Sequence, residues 1–248
     1  MGRAVVRLAA ERGDRVVYAV AGRNPGRDAG ELAGIGPLGV HVTNDLAGLP
    51  QAGAAVLIDF STADFFPSVA AMAAQAGVAL VSGTTGLDAG GVAALARASE
   101  RVPVLWEPNM SVGVHVLAGL VREAVLRLGL GYDVEVVETH HRLKVDAPSG
   151  TAMRLVEVAR EARADGAALA HGREGRPGVR PVAEIGVHAV RGGDVIGDHT
   201  VHLLGAGERL ELTHRATSRD LFAHGALRAA RFLAGKAPGR YGLPDLLA

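Results

Sequence analysis

The sequence predicts an α/β protein of two domains. One is a Rossmann-like domain with a parallel sheet, of the kind that binds nucleotides; the other is an α+β domain built on an open mixed sheet, a kind that often packs on a partner. Three observations lead there. Short apolar runs of strand length alternate with amphipathic helical stretches in the first half, which marks a parallel sheet covered on both faces. After Asn109 the strands lengthen and alternate apolar with polar residues, which marks a half-buried sheet. The last stretch returns to a helical period.

The first residues read as a helix, with Val5, Leu8, Ala9 and Arg12 at helical spacing and Gly13 as its stop. Residues 16–20 read as a strand, followed by a loop rich in Gly, Asn, Pro and Arg. Residues 56–60 have buried-strand length, and Val69, Met72, Ala73 and Ala76 share one face of the helix after them. A strand over 78–82, a helix through Val92, Leu95 and Ala96, and a short strand over 104–106 complete this half. Beyond Asn109 a long helix carries Val114, Leu117, Ala118, Val121, Val125 and Leu128 on one stripe. Alternation follows in Val134 and Val136 against Asp133 and Glu135, in Ile185, Val187 and Ala189, in Val201 and Leu203, and in Leu210 and Leu212. Phe222, Ala226, Ala229 and Leu233 place a final helix able to dock back on the first domain. The expected division is residues 1–110 with 222–248 as the dinucleotide-binding domain and 111–221 as the other, with a mobile loop over 171–181.

Composition removes several classes of function. Lys and Arg number 26 against 26 Asp and Glu, a formal net charge of zero, which argues against nucleic acid or an acidic membrane surface as partner. The 248 residues include no Cys, so disulfides, thiolate nucleophiles and Cys-ligated metal sites are excluded. The uncharged run over 65–87 is long enough to span a bilayer, but Pro67, Gly77, Gly83, Thr84 and Thr85 divide it into a helix and a strand. Arg3, Arg7 and Glu11 interrupt the apolar residues at the N-terminus, unlike a signal peptide. A soluble, cytoplasmic protein with no membrane span is expected. A nucleotide-binding α/β domain normally opens with a strand, a glycine loop and a helix. Here the helix comes first: either it is the natural start, or the start site is mis-assigned, or Met1-Gly2-Arg3 is the tail of such a loop and the opening strand is missing.

The strongest chemical signal runs from Glu138 to Ala152. It leaves a strand end, gathers His140, His141, Arg142 and Lys144, and enters a helix whose buried face is Ala152, Leu155, Val156 and Ala159. Ser149 is a good N-cap, and no carboxylate stands at the third helical position. The N–H groups of the helix start and the Thr151 hydroxyl are therefore placed to hold an anion such as a carboxylate. Imidazoles, an ammonium and an anion-holding helix start in one loop suit a small anionic substrate that is protonated during reaction. Against this stand a His pair used only for packing or surface, and a metal site of two His with Asp146, whose spacing matches no known ligand rhythm. No metal is expected.

The run HHRLKVDAPSGTA, His140 to Ala152, resembles the signature of the 4-hydroxy-tetrahydrodipicolinate reductase (dihydrodipicolinate reductase) family of lysine and diaminopimelate biosynthesis. The resemblance continues in IDFST from Ile58, SGTTG from Ser82, EPNMSVGV from Glu107, RGGDVIGDHT from Arg191 and GERLELTHRATSRDLFAHGA from Gly207, and so covers nearly the whole chain. It implies reduction of a cyclic, unsaturated dicarboxylate with NADH or NADPH by a homotetramer. By motif position it implies His140 as proton donor or acceptor, Lys144 as a second proton donor, His141 as a substrate contact, and Gly150 with Thr151 as the holder of a substrate carboxylate. It also implies cofactor contacts at Gly83, Thr84 and Thr85, at Glu107, Pro108, Asn109 and Met110, and at Met1, with Phe60 near the nicotinamide.

The sequence departs from the family pattern in two places. The opening strand and its glycine-rich loop are absent except for Met1-Gly2. The acid that often binds the adenosine ribose is replaced at about Gly22, followed by Arg23, which offers a partner for a 2′-phosphate and predicts NADPH preference or dual use. Two alternatives stay open. Another two-domain nicotinamide oxidoreductase has no reason to carry KVDAPSGTA, and a weakly active or non-catalytic relic would bind the dicarboxylate without turnover.

Overall fold

A computed structural model describes residues 1–248. The chain divides into two compact units, Met1–Ser111 with Asp220–Ala248, and Val112–Arg219. The first unit begins with α1 (Gly2–Glu11), β1 (Ala19–Val20), α2 (Ala29–Ala33), β2 (Val42–Thr43), β3 (Val56–Asp59), α3 (Phe66–Ala76), β4 (Ala79–Ser82), α4 (Ala89–Ser99) and β5 (Pro103–Trp106). The second unit holds α5 (Val112–Leu128), β6 (Asp133–His140), α6 (Gly150–Arg163), β7 (Ala168–His171), β8 (Glu184–Arg191), β9 (Gly197–Leu204) and β10 (Arg209–Ala216). The chain then returns to the first unit with α7 (Asp220–Leu233), β11 (Gly239–Tyr241) and α8 (Leu243–Leu247).

The first unit is built on a parallel sheet in the order β11-β5-β4-β3. Side-chain alternation sends Leu57, Leu80, Val104 and Trp106 to one face, where they meet Phe66, Val69 and Ala73 of α3 and Leu95 of α4. Val56, Ile58, Val81 and Leu105 go to the other face, against Ala226, Ala229 and Leu233 of α7. Leu80, Val81, Val104 and Leu105 are fully buried, which is why these strands read as apolar runs. Each such side chain stabilises the unit by roughly 1.5–3 kcal/mol.

The strand expected over 16–20 is only Ala19–Val20, and it pairs with β2 in a separate two-stranded parallel sheet. A ladder extends only as far as a partner supplies its N–H and C=O groups, and β2 is two residues long. Near this place Leu8 and Ala9 of α1 pack with Ala223 and Leu227 of α7 and reach Val16 and Ile58. The turn after β1 leads to Asp28, which caps α2 by accepting from the Gly30 and Glu31 amides and also accepts from those of Leu38 and Gly39. The Leu38 amide is the largest cause that holds this carboxyl down at about 2, against the opposing effect of burial.

In the second unit the sheet order is β10-β9-β6-β8-β7, with β6, β7 and β8 parallel and β9 antiparallel to both neighbours. Val134, Val136, Glu138 and His140 alternate onto the buried face of β6. The core there joins Val134 and Val136 to Leu117, Val121 and Val125 of α5 and to Leu155, Val156 and Ala159 of α6. The opposite face is polar. Glu135 on it accepts from Arg173, Arg180 and His188, and Arg180 also reaches Asp133 at 2.6 Å. Two arginines of the segment expected as a mobile loop therefore anchor it to the sheet. No helix is long and apolar enough to cross a membrane.

Candidate active site

The residues singled out by sequence separate into two sets, one in each unit. In the second unit the centre is Glu138, which is fully buried. A buried carboxylate is stable only when its lone pairs are used, and here each oxygen accepts twice. Oε1 accepts from Arg191 Nη2 at 2.7 Å and from the Ser149 amide at 3.0 Å. Oε2 accepts from Arg191 Nη1 at 2.7 Å and from His140 Nδ1 at 2.5 Å. Burial alone would raise this carboxyl, but the Arg191 guanidinium, then His140 and the Ser149 amide, outweigh it and hold it below the ordinary carboxylate value.

Sheet register brings these groups together. Arg191 lies opposite His140 across β6 and β8, and His199 lies opposite Glu138 across β6 and β9. The His199 ring meets His140 edge-on with centroids 5.2 Å apart, and its Nε2 shares a 3.1 Å hydrogen bond with the Ser149 hydroxyl. Burial, then the neighbouring His140, pushes His199 down to about 4, so it is neutral near pH 7. A Cβ at Gly197 would lie 2.9 Å from His140 Nε2, so the bare glycine leaves that nitrogen uncrowded.

The loop after β6 is fastened to the turn between β8 and β9: the His141 amide donates to Val195 O and the Arg142 amide to Gly193 O. Lys144 Nζ donates to both Asp146 oxygens at 2.7 and 2.8 Å, and the ammonium holds that carboxyl below its ordinary value. Arg191 Nη2 also donates to the Asp146 carbonyl at 2.7 Å, which ties the Lys144 loop to the same guanidinium that grips Glu138. His141 Nε2 lies 3.3 Å from Arg219 Nη2. At the start of α6 the Ser149 hydroxyl accepts from the Ala152 amide at 3.1 Å. The expected cap forms, and it engages the Ala152 amide, one of the helix-start donors expected to hold an anion. No group of three His, Asp or Glu side chains is arranged to hold a metal ion.

In the first unit, loops follow the C-terminal ends of the parallel strands, where dinucleotides bind in doubly wound sheets. Asp59 at the end of β3 accepts from the Ser61 amide at 2.9 Å, the Ser82 hydroxyl at 2.6 Å and the Thr84 hydroxyl at 2.7 Å. Trp106 Nε1 donates to Thr84 O, and the Glu107 amide to Ser82 O. A Cβ at Gly83 would strike the Phe60 ring, so the loop of Gly83, Thr84 and Thr85 approaches that ring closely at its glycine. Thr84 is buried with its hydroxyl engaged by Asp59 and thus shapes the loop. Asn109 Oδ1 accepts from the Ser111 amide, and Pro108 precedes it in the loop after β5. Met110 is buried in the α7-facing core, and its carbonyl lies so close to Gly225 that a Cβ there would strike it. Gly22 and Arg23 are exposed in the turn after β1, and Met1 caps α1. These features fit a nicotinamide dinucleotide, with Asp28 committed to its own turn.

Sequence reasoning gave no role to Glu138, Arg191, His199 or Arg219. Glu138 stands two residues before His140, and that spacing alone puts both on one face of a strand. The others are joined by register or tertiary folding.

Comparison with known proteins agrees along the whole chain. The family model described as Dihydrodipicolinate reductase, N-terminus, matches residues 1–110, and the one described as Dihydrodipicolinate reductase, C-terminus, matches 113–247. A 4-hydroxy-tetrahydrodipicolinate reductase of Anaeromyxobacter sp. is 54% identical, over 100% of this chain and 93% of that protein. One of Myxococcus xanthus is 50% identical over 100% and 93%. Among solved structures, a dipicolinate-bound dihydrodipicolinate reductase from Paenisporosarcina sp. matches with a TM-score of 0.78 at 21% identity, covering 97% of this chain and 92% of that one. An amine dehydrogenase from Mycobacterium smegmatis shares the fold at a TM-score of 0.61 and 12% identity, with coverage of 98% and 92%.

Proposed function

The chain belongs to the dihydrodipicolinate reductase family, and on that premise we propose that it reduces 4-hydroxy-tetrahydrodipicolinate to tetrahydrodipicolinate in lysine and diaminopimelate biosynthesis. NADH or NADPH, when bound, supplies the hydride. The observation that carries the reading is the His140 ring, held through Nδ1 by buried Glu138 with Nε2 uncrowded, in the same loop as Lys144. Loss of the 4-hydroxyl as water leaves a conjugated C=C–C=N system; the hydride adds to the carbon that bore the hydroxyl, and His140 Nε2 delivers the proton to the ring carbon next to it. Lys144 stabilises or protonates the negative charge that develops toward the ring nitrogen. Gly150 and Thr151 hold a substrate carboxylate, and His141 contacts the substrate.

Gly83, Thr84 and Thr85, with the stretch Glu107, Pro108, Asn109 and Met110, hold the nicotinamide end of the cofactor. Gly22 and Arg23 lie toward the adenosine end, and Met1 toward the pyrophosphate. The nearby acid Asp28 already accepts four backbone amides, so it offers little to ribose hydroxyls, whereas Arg23 offers a guanidinium to a 2′-phosphate. NADPH preference or dual use follows, and kcat/KM for the two cofactors measures it; a strong NADH preference contradicts it. The polar face of the second unit's sheet, around Glu135, Val137 and Thr139, is the face on which copies associate into a homotetramer. The protein works in the cytoplasm.

Two substitutions test the assignment. His140→Gln lowers kcat by about 100-fold or more, the scale of a general acid, with little change in KM. Thr151→Val raises KM for the substrate and leaves kcat nearly intact. Turnover within about threefold of wild type for both, far below that scale, would remove these roles.

A further inference from the structure

We propose that Glu138, itself fixed by Arg191, is a positioning residue that keeps a proton on His140 Nδ1 and presents Nε2 to the substrate. This inference rests on His140 being the proton donor. Glu138 and His140 alternate onto the buried side of β6, and Glu138 is wholly shielded from water. An ionised carboxylate can only accept hydrogen bonds. The two-pronged grip of Arg191, at 2.7 Å to each oxygen, favours the ionised form. The 2.5 Å contact to His140 therefore has its hydrogen on Nδ1. The nitrogen left for exchange with substrate is Nε2, beside the bare Gly197.

The other charged and titratable groups around the ring are arranged to leave this pairing undisturbed. From β8, Arg191 faces the carboxylate. From β9, His199 is held neutral by burial, and its Nε2 is engaged with Ser149. From the loop, Lys144 and Asp146 are paired with each other. From β10, His214 is lowered by burial. Arg191 also binds the Asp146 carbonyl, and Glu138 accepts the Ser149 amide. One carboxylate thus fixes the ring directly, the Lys144 loop through Arg191, and the start of α6 through Ser149.

Removing the negative charge beside the ring makes its protonated form harder to keep and leaves the Arg191 cation facing it. Glu138→Gln should therefore lower kcat by about 10-fold or more and move the alkaline limb of the kcat profile about one pH unit or more toward acid. KM for the substrate should change less than kcat. In a His140→Gln background the same substitution should lower kcat by no more than about twofold, since residues acting as a unit are not additive. A Glu138→Gln profile with an unmoved limb, or a full further loss in the His140→Gln background, would overturn the inference.

A measurement on the unaltered protein covers the case in which the variant does not fold. The 15N shifts of the neutral His140 ring report which nitrogen is protonated. Nδ1–H is expected, and an Nε2–H ring would overturn the inference. Failure of the underlying reading is distinguishable, because then His140→Gln alone would retain wild-type turnover whatever the tautomer.

Discussion

Each unit has a buried carboxylate at its candidate site, and the two are used differently. Asp59 ends β3 with 5% exposure and binds an amide and two hydroxyls, all neutral. Glu138 lies in β6 with no exposure and binds a guanidinium, an imidazole and an amide. The Asp59 cluster fixes backbone: it holds the loops after β3 and β4 in one shape through neutral donors. The Glu138 cluster fixes an imidazole ring. The difference matches the division of labour in the proposed reaction, in which one unit orients a cofactor that brings its own chemistry and the other supplies the proton.

If the contrast holds, acid should reveal it first in the second unit. His199 is buried and lowered to about 4 from 6.5. Between those values the unfolded chain takes up a proton that the folded chain refuses, so stability falls with pH through that window and levels off below it. The contribution is up to about 3 kcal/mol. His199→Gln should flatten the dependence of the urea midpoint between pH 6.5 and 4. An unchanged slope would mean that His199 is not the group responsible. Below that window Glu135, held at about 2 chiefly by Arg173, His188 and Arg180 against the effect of burial, takes over. As its folded value is depressed, its stabilisation is present above about 4.5 and is lost as pH falls toward 2.

A smaller effect is expected from the neutral cluster. Asp59→Asn turns one accepting oxygen into a donor facing the Ser82 and Thr84 hydroxyls. Loosening the loops should raise KM for the cofactor by about tenfold, equivalent to a lost hydrogen bond or two. The pH profile of kcat should stay where it is. A shifted profile in this variant, like that expected for Glu138→Gln, would erase the distinction between the two carboxylates.

The fold class was legible because burial on both faces leaves a local trace. β3, β4 and β5 lie where strand-length runs lie, and the alternation at Val134 and Val136 reports a sheet with one buried face. The strand expected over 16–20 was overdrawn because β propensity says nothing about whether a partner is present to complete the ladder. The candidate site could be read from the sequence where its residues are contiguous: His140, His141, Lys144, Gly150 and Thr151 fall in one segment. Arg191 and His199 could not be read so, since only the register of β6 with β8 and β9 sets them opposite His140 and Glu138. Met110 shows the converse. A motif position supplied a candidate contact, and the structure buries that residue with its carbonyl against Gly225.

The most direct test follows NADPH oxidation by the purified chain with and without 4-hydroxy-tetrahydrodipicolinate, wild type beside His140→Gln. The account predicts oxidation that depends on the dicarboxylate, with kcat lower by about 100-fold or more in the variant. NADPH consumption indifferent to the dicarboxylate, or a variant with wild-type kcat, would contradict it.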